Sequence, residues 1–329
     1  MKKIQNLLIA CGLLLAGCSE IPVETAGLPG PAPVKRVSLR LDAGADTRAM
    51  LDETLRVKFQ PGDMVDINGV AYEVFLLDDG SAAVPEVPEA PRYEVVFPSA
   101  CNFLQQSKEA ANFKLPLAQF YAGPGTFGRN AMPMYGEATG IDEDKGYVNV
   151  TLRNMCGVLK LTLKGSATIN TILVEDRSGA PISGYSTLET DSEGNKILVP
   201  GTASSARAYH LVMNCGGAGE GVALSESGTD FYVVMPARAY ASGLKIRITD
   251  RSHRAMTLDS PTPRTIKRNV VTETPAIAYA PDADLVFAEY FDACAWGGNY
   301  VGNTKGYSPS QTEAQQSSGS LAGTNAAGS

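Results

Sequence analysis

The chain has 329 residues and a formal net charge of −7, with 28 basic residues against 35 acidic ones. It contains no basic run, which argues against nucleic acid and against attraction to anionic lipid surfaces. Glycine (33) and proline (20) are plentiful and long 3.6-residue periodicity is nearly absent, so helical bundles and coiled coils are excluded. The length suggests two domains, each able to bury its own core.

The N-terminus comes first. Lys2 and Lys3 form a positive leader, and Ile4 to Leu15 is an apolar stretch of the length seen in secretory signals, too short to cross a bilayer. It ends in Leu15-Ala16-Gly17-Cys18, which resembles a bacterial lipobox. That resemblance implies removal of residues 1–17 and acylation of Cys18; an ordinary cleaved signal with an incidental cysteine is the competing reading. Two or more acyl chains hold a protein stably where one holds it only marginally, so an acylated Cys18 would anchor the chain in the outer membrane, facing the cell surface, without a transmembrane helix. Residues 18–33 are rich in Pro, Gly and Glu and read as a tether. Glu20 and Glu24 mildly suggest export to the surface.

Strands follow. In "VKRVSLRL", Val37, Leu39 and Leu41 alternate with Arg36, Ser38 and Arg40, the period-2 pattern of a half-buried strand. "LRVKF" repeats it with Leu55, Val57 and Phe59. "QPGD" (Gln60 to Asp63) is a turn, in which Pro61 presets φ and Gly62 is free to take positive φ. "MVDI", "AYEVFLL" and "RYEVVFP" continue the series, while the intervening "VPEVPEAP" is too proline-rich for a central strand. A second block opens at Gly146. Its first strand, "YVNVTLRN", puts Val148, Val150 and Leu152 on one face, and "GVLKLTLKG" does the same with Leu159, Leu161 and Leu163. "TINTILVED", "AYHLVMN", "DFYVVMP", "LKIRITD" and "IKRNVVTET" follow, separated by turn residues. Short, evenly spaced strands predict an all-β fold of sandwich or barrel type, divided into residues 34–145 and 146–280.

Motifs that carry chemistry are scarce. His210 alternates with its neighbours as a strand residue, and His253 in "DRSHRAM" reads as a hairpin turn. "CGGAGEG" (Cys215 to Gly221) lacks the Lys-Ser/Thr of a phosphate loop and reads as a hairpin loop; "LLDDG" (Leu76 to Gly80) reads as a turn in preference to a cation site, and "DEDKG" as the solvated link between blocks. Nothing points to a catalytic residue, a metal ligand or a cofactor. Cys11 leaves with the signal, so Cys101, Cys156, Cys215 and Cys294 remain. Four cysteines allow three full pairings, with unpaired buried thiols as the alternative.

Several segments resemble, in order and spacing, the fimbrillin-like (Mfa-like) lipoproteins of Bacteroidetes, relatives of the type V pilins. These are "DTRAMLD", "LRVKFQPGDMVDING", "YEVVFPSA", "LPLAQFYAGPGTF" and "MPMYGEAT", then "VTLRNMCGVLKLTLKG" as a domain-opening hairpin, "INTILVEDRSGAPISGYSTL", "DFYVVMPARAYASGLKIRITD" and "TIKRNVV". The resemblance covers about Val34 to Tyr279. It implies two tandem transthyretin-like β-sandwiches and a role as surface adhesin or as a pilus accessory or anchor subunit, with no enzymatic activity. In pilin relatives a protease cuts after an arginine near the first strand, and another subunit's strand fills the groove so opened. Here that arginine is Arg48, with "VKRVSLRLD" before it; the simpler reading, an uncut turn arginine in a monomeric lipoprotein, is preferred on sequence alone.

The tail departs from the pattern. Residues 281–310 hold the single tryptophan, Trp296, close to Tyr300 and other aromatics, and read as the start of a further β-rich segment; residues 311–329 are polar and small and read as a disordered tail. Aromatic faces stack on sugars, so Trp296 and Tyr300 support an alternative function, a surface glycan-binding lipoprotein of a polysaccharide-uptake system. A core tryptophan is the plainer account of Trp296. A catalytic domain beyond residue 329 is a third reading. The partners expected are the outer membrane through lipid on Cys18, and either other pilin subunits or host or glycan ligands.

The anchor is tested directly. Cys18→Ala should move the protein from the membrane fraction to the soluble periplasmic or culture fraction; unchanged retention in outer-membrane vesicles would contradict lipidation.

Overall fold

The structure, a computed structural model, describes residues 35–43, 59–79, 81–101, 112–141, 146–201, 207–216, 220–281 and 283–284. The strands all lie in the compact unit that begins at Arg36. In chain order they are β1 (Arg36–Ala43), β2 (Met64–Ile67), β3 (Val70–Glu73), β4 (Phe75–Leu76), β5 (Ala82–Pro88), β6 (Tyr93–Phe97), β7 (Asn112–Leu115), β8 (Ala118–Phe120), β9 (Met134–Ala138) and β10 (Tyr147–Asn154). Then come β11 (Cys156–Lys164), β12 (Thr168–Asp176), β13 (Ser183–Thr190), β14 (Lys196–Pro200), β15 (Arg207–Ala208), β16 (His210–Asn214), β17 (Val222–Ala223) and β18 (Thr229–Pro236). The last are β19 (Arg238–Tyr240), β20 (Leu244–Asp250), β21 (Arg254–Ser260), β22 (Arg264–Ile266), β23 (Val271–Glu273), β24 (Ile277–Ala278) and β25 (Ala283–Asp284). Among the described residues there is no α-helix, and one 3-10 turn covers Ser99–Cys101. The all-β expectation holds.

An eight-stranded sheet runs β3-β2-β6-β9-β10-β1-β5-β4. Its two end strands are consecutive in the chain, joined through the buried Val74, so the sheet curls until its ends meet. "AYEVFLL" was expected as one strand; the bend at Val74 makes it two, on opposite ends of the order. Inside, Val37, Leu39, Leu41, Val95, Val148, Val150 and Leu152 are buried. Gly136 on β9 is required here, because a Cβ would lie 2.6 Å from the Thr151 carbonyl oxygen and 2.9 Å from Val150 Cγ1. The "QPGD" turn forms as expected, with Gly62 at φ 78. It is pinned by the buried Asp63, whose Oδ1 accepts from Arg129 Nε at 2.9 Å and whose Oδ2 accepts from the Gln60 amide at 2.8 Å.

Three further sequence readings need correction. "VPEVPEAP" does contribute to the sheet: β5 pairs with β1 as far as Pro88. The prolines are tolerated because β4 pairs with β5 only at Ala82 and Ala83, leaving the other edge open beyond them, and because the β1 register shifts between Val37 and Leu39, beside Glu86 at φ 62. The strands of "VTLRNMCGVLKLTLKG" do not form a hairpin. β10 pairs with β1 and β9, whereas β11 pairs with β18, β23 and β24. Only Met155 separates β10 from β11, and one residue is too short a loop for the common hairpin turns. "IKRNVVTET" is likewise split, by a turn with Asn269 at φ 60, into β22 and β23.

Two further sheets bury residues in a core continuous with that of the first. One holds β18-β11-β23, with β24 also on β11; the other runs β25-β21-β20-β12-β16-β8, with β17 on β12. Leu159, Leu161, Val233 and Phe231 share a face of the first, and Ile172, Val174, Leu211, Met213, Ile246 and Ile248 share a face of the second. Smaller sheets join β7 with β13, β14 and β15, and β19 with β22. Strand pairing therefore crosses position 146 in both directions: β10 lies beside β1, while β7 and β8 lie beside β13 and β16.

Gln119 on β8 closes an edge. Its Nε2 donates to the Val234 carbonyl at 2.7 Å and its Oε1 accepts from the Val234 amide at 2.9 Å, so one buried side chain pairs β18 much as a strand would. Gln119→Leu would leave both Val234 backbone groups unpaired at about 1–3 kcal/mol each. Urea unfolding should show a loss of roughly 2–6 kcal/mol at constant m-value; a loss under about 0.5 kcal/mol would contradict the closure.

Candidate functional site: the seat of the first strand

β1 is the first strand, yet it lies in the interior of its sheet. It runs parallel to β10 from Ser38↔Tyr147 to Ala43↔Leu152, and antiparallel to β5 through Val37↔Val87, Leu39↔Val84 and Leu41↔Ala82. Leu39 and Leu41 are fully buried and Val37 nearly so, as the alternation predicts. On the same face the seat is flanked by the buried aliphatic residues Val84, Val87, Val148 and Val150.

The polar face is held from both sides. Arg40 Nε donates to Ser81 Oγ at 3.2 Å and Nη1 donates to the Tyr147 hydroxyl at 3.3 Å, while Nη2 is paired with Asp79 Oδ2. The Arg40 guanidinium also lies 5.7 Å from the Tyr147 ring centroid. Asp79 is itself oriented, its Oδ1 accepting from the Ser81 amide at 3.0 Å and from the Ser81 hydroxyl. Four residues earlier, Arg36 Nη1 donates to the Glu86 carbonyl at 2.7 Å. Sequence reasoning read "LLDDG" as a turn, which it is, but missed the role of Asp79, Ser81 and Tyr147. Their meeting with Arg40 depends on a register that joins positions 39, 41 and 107 residues apart.

The residues singled out from sequence, Cys18, Arg48, Trp296 and Tyr300, lie outside the described residues. His210 is a strand residue on β16, its Nδ1 2.9 Å from Glu175 Oε1, and Lys245 approaches the other Glu175 oxygen at 3.8 Å across the next strand. His253 stands in the β20–β21 turn at φ 60. No group of three or more His, Cys, Asp or Glu able to hold a metal occurs among the described residues.

No family model and no curated protein matches the chain. Solved structures do resemble it. A candidate cell adhesion protein of Bacteroides ovatus is 10% identical, with 78% of this chain and 99% of that one covered at a TM-score of 0.40. A candidate cell adhesion protein of Bacteroides uniformis is 13% identical over 68% of this chain and 84% of that one, with a TM-score of 0.38. A tip fimbrial protein of Porphyromonas gingivalis, truncated at its C-terminus, is 13% identical over 76% of this chain and 97% of that one, with a TM-score of 0.32.

Three cysteines are described, and all are buried and unpaired: Cys101, Cys156 and Cys215. Burial pushes the Cys101 thiol up to about 12, with Lys114 opposing slightly, and raises Cys156 and Cys215 as well. Thiolate is the reactive form, so these groups should be inert while the fold is intact. With Cys11, Cys18 and Cys294 all changed to Ser, the native protein at pH 8 should consume almost no Ellman's reagent and should release its thiols on denaturation. Rapid native labelling would show that these side chains are exposed in solution.

Proposed function

We propose that this chain is a lipid-anchored, fimbrillin-like protein of the cell surface, acting as an adhesin or as an accessory or anchor subunit of a pilus, with β1 as its exchangeable strand. The observation that carries the reading is the interior seat of β1. Withdrawing an edge strand leaves one new edge, but withdrawing β1 leaves two, on β5 and β10, and uncovers the aliphatic residues that flank Val37, Leu39 and Leu41. Each of those side chains contributes about 1.5–3 kcal/mol through burial, and open strand edges attract further strands. A vacated seat is therefore a site for strand addition, in which main-chain pairing supplies affinity and alternate side chains supply specificity.

Arg48 lies five residues beyond Ala43 in the chain, so a cut there would sever β1 and everything before it, Cys18 included, from the remaining strands. Anchoring through Cys18 and processing at Arg48 belong together in this reading, the first fixing the uncut protein to the outer membrane and the second freeing it for assembly. The proposal includes two tandem transthyretin-like sandwiches, at 34–145 and 146–280. The separate sheet system built from β11 onward supports that division, although the buried core is continuous across it and β7, β8 and β10 each pair across it.

A low dose of an Arg-specific protease should cut wild-type protein at Arg48 and yield ladders on mild-heat gels, and Arg48→Ala should abolish both. If the native host contains only full-length acylated monomer and no filament that includes it, strand exchange is wrong and a monomeric anchored adhesin remains.

A further inference from the structure

Alternation alone does not define how a strand sits between β5 and β10. A slip of one residue is forbidden, because it turns every aliphatic side chain to the polar face. A slip of two is not: Val37, Leu39 and Leu41 would exchange places between flanking valines and an alanine, and the backbone ladder would re-form. Something on the polar face must distinguish these registers.

We propose that Asp79, Ser81 and Tyr147 form a cation-reading subsite that sets the register of whichever strand occupies the seat. The proposal rests on β1 being exchangeable and adds the chemistry of the strand that replaces it. In the observed register the outward side chains run Arg36, Ser38, Arg40, Asp42, and Arg40 meets the subsite. A slip of two in one direction would put Ser38 there, too short to reach partners both in the turn before β5 and on β10. The opposite slip would bring Asp42 against Asp79 in the turn before β5, and two carboxylates at close range repel.

Discrimination therefore comes more from the penalty for wrong occupants than from the strength of the ion pair. Asp79 is 54% exposed and Arg40 33% exposed, and exposed pairs contribute little by themselves. The guanidinium nevertheless ties three partners at once, from the turn before β5, the start of β5's approach and β10. A planar fork suits this arrangement better than an ammonium point charge. The incoming partner is thus an extended segment with aliphatic residues at alternate positions and an arginine between the last two, running parallel to β10: aliphatic-x-aliphatic-Arg-aliphatic, as in Val37 to Leu41.

The test uses the full mature chain with a site-specific protease sequence inserted after Arg48. After cutting, the protein is incubated at mild heat with excess labelled peptide VKRVSLRLDA, with its Arg40→Glu form, or with a form in which Arg40 and Ser38 are interchanged. Native peptide should incorporate. Arg40→Glu should bind about ten-fold more weakly or worse, through loss of charge-assisted bonds and gain of repulsion, and the interchanged peptide should also be weakened. Asp79→Arg in the receptor should restore the Arg40→Glu peptide and weaken the native one. Equal binding of native and Arg40→Glu peptides would overturn the subsite while leaving strand exchange intact. Failure of Asp79→Arg to restore binding would overturn the assignment to Asp79. Failure of every peptide to incorporate would overturn strand exchange, and the subsite with it.

Discussion

The eight-stranded sheet depends on the seating of β1. Without it, β5 and β4 have no hydrogen-bonded link to β10 on that side, and the curled sheet loses its continuity. Parallel pairing on one edge and antiparallel pairing on the other mean that β1 satisfies backbone groups of two strands far apart in sequence. Its aliphatic face fills the space beneath. A strand formed from the first described residues thereby governs packing that involves residues up to Asn154.

Elsewhere the fold closes its edges with side chains. Gln119 pairs both backbone groups of Val234 in the interior. Arg268 Nη1 donates to the Asn154 carbonyl at 3.2 Å and Nη2 to Asn195 Oδ1 at 3.0 Å, joining the end of β10 to the β13–β14 turn. Arg238 Nη2 reaches the buried Asp176 at 2.8 Å, and the Ser178 amide donates to the same carboxylate's other oxygen at 2.8 Å. The arginine contacts sit where strands end, and the Gln119 contact lies at mid-strand along the edge strand β18, where the Val234 backbone groups would otherwise be buried without partners. Removing one partner from such a group costs more than the bond itself contributes.

The strands were legible in the sequence because burial imposes a period of two. β10 follows it without a break, with Val148, Val150, Leu152 and Asn154 buried and Asn149, Thr151 and Arg153 exposed. Partners were not legible. β10 and β11 look like a hairpin because both are alternating strands and adjacent, yet Met155 alone cannot reverse the chain. Prolines in β5 looked disqualifying because a proline's cost depends on which edge its nitrogen faces, which is a property of the neighbouring strand. The cluster around Arg40 was hidden for a related reason: an arginine on a polar face and a carboxylate in a turn are both ordinary until a register brings them together.

By itself the sequence determined the all-β character, the inward faces of the main strands, turns such as Gln60 to Asp63, and the absence of any motif for catalysis. Each is a local property, set by side-chain period and backbone preference within a few residues. The tertiary structure alone decided that β1 is interior, that strands pair across position 146, and that Asp79, Ser81 and Tyr147 converge on Arg40. Those outcomes depend on pairings between segments tens of residues apart, where many registers satisfy the same alternation and only the complete set of contacts selects one.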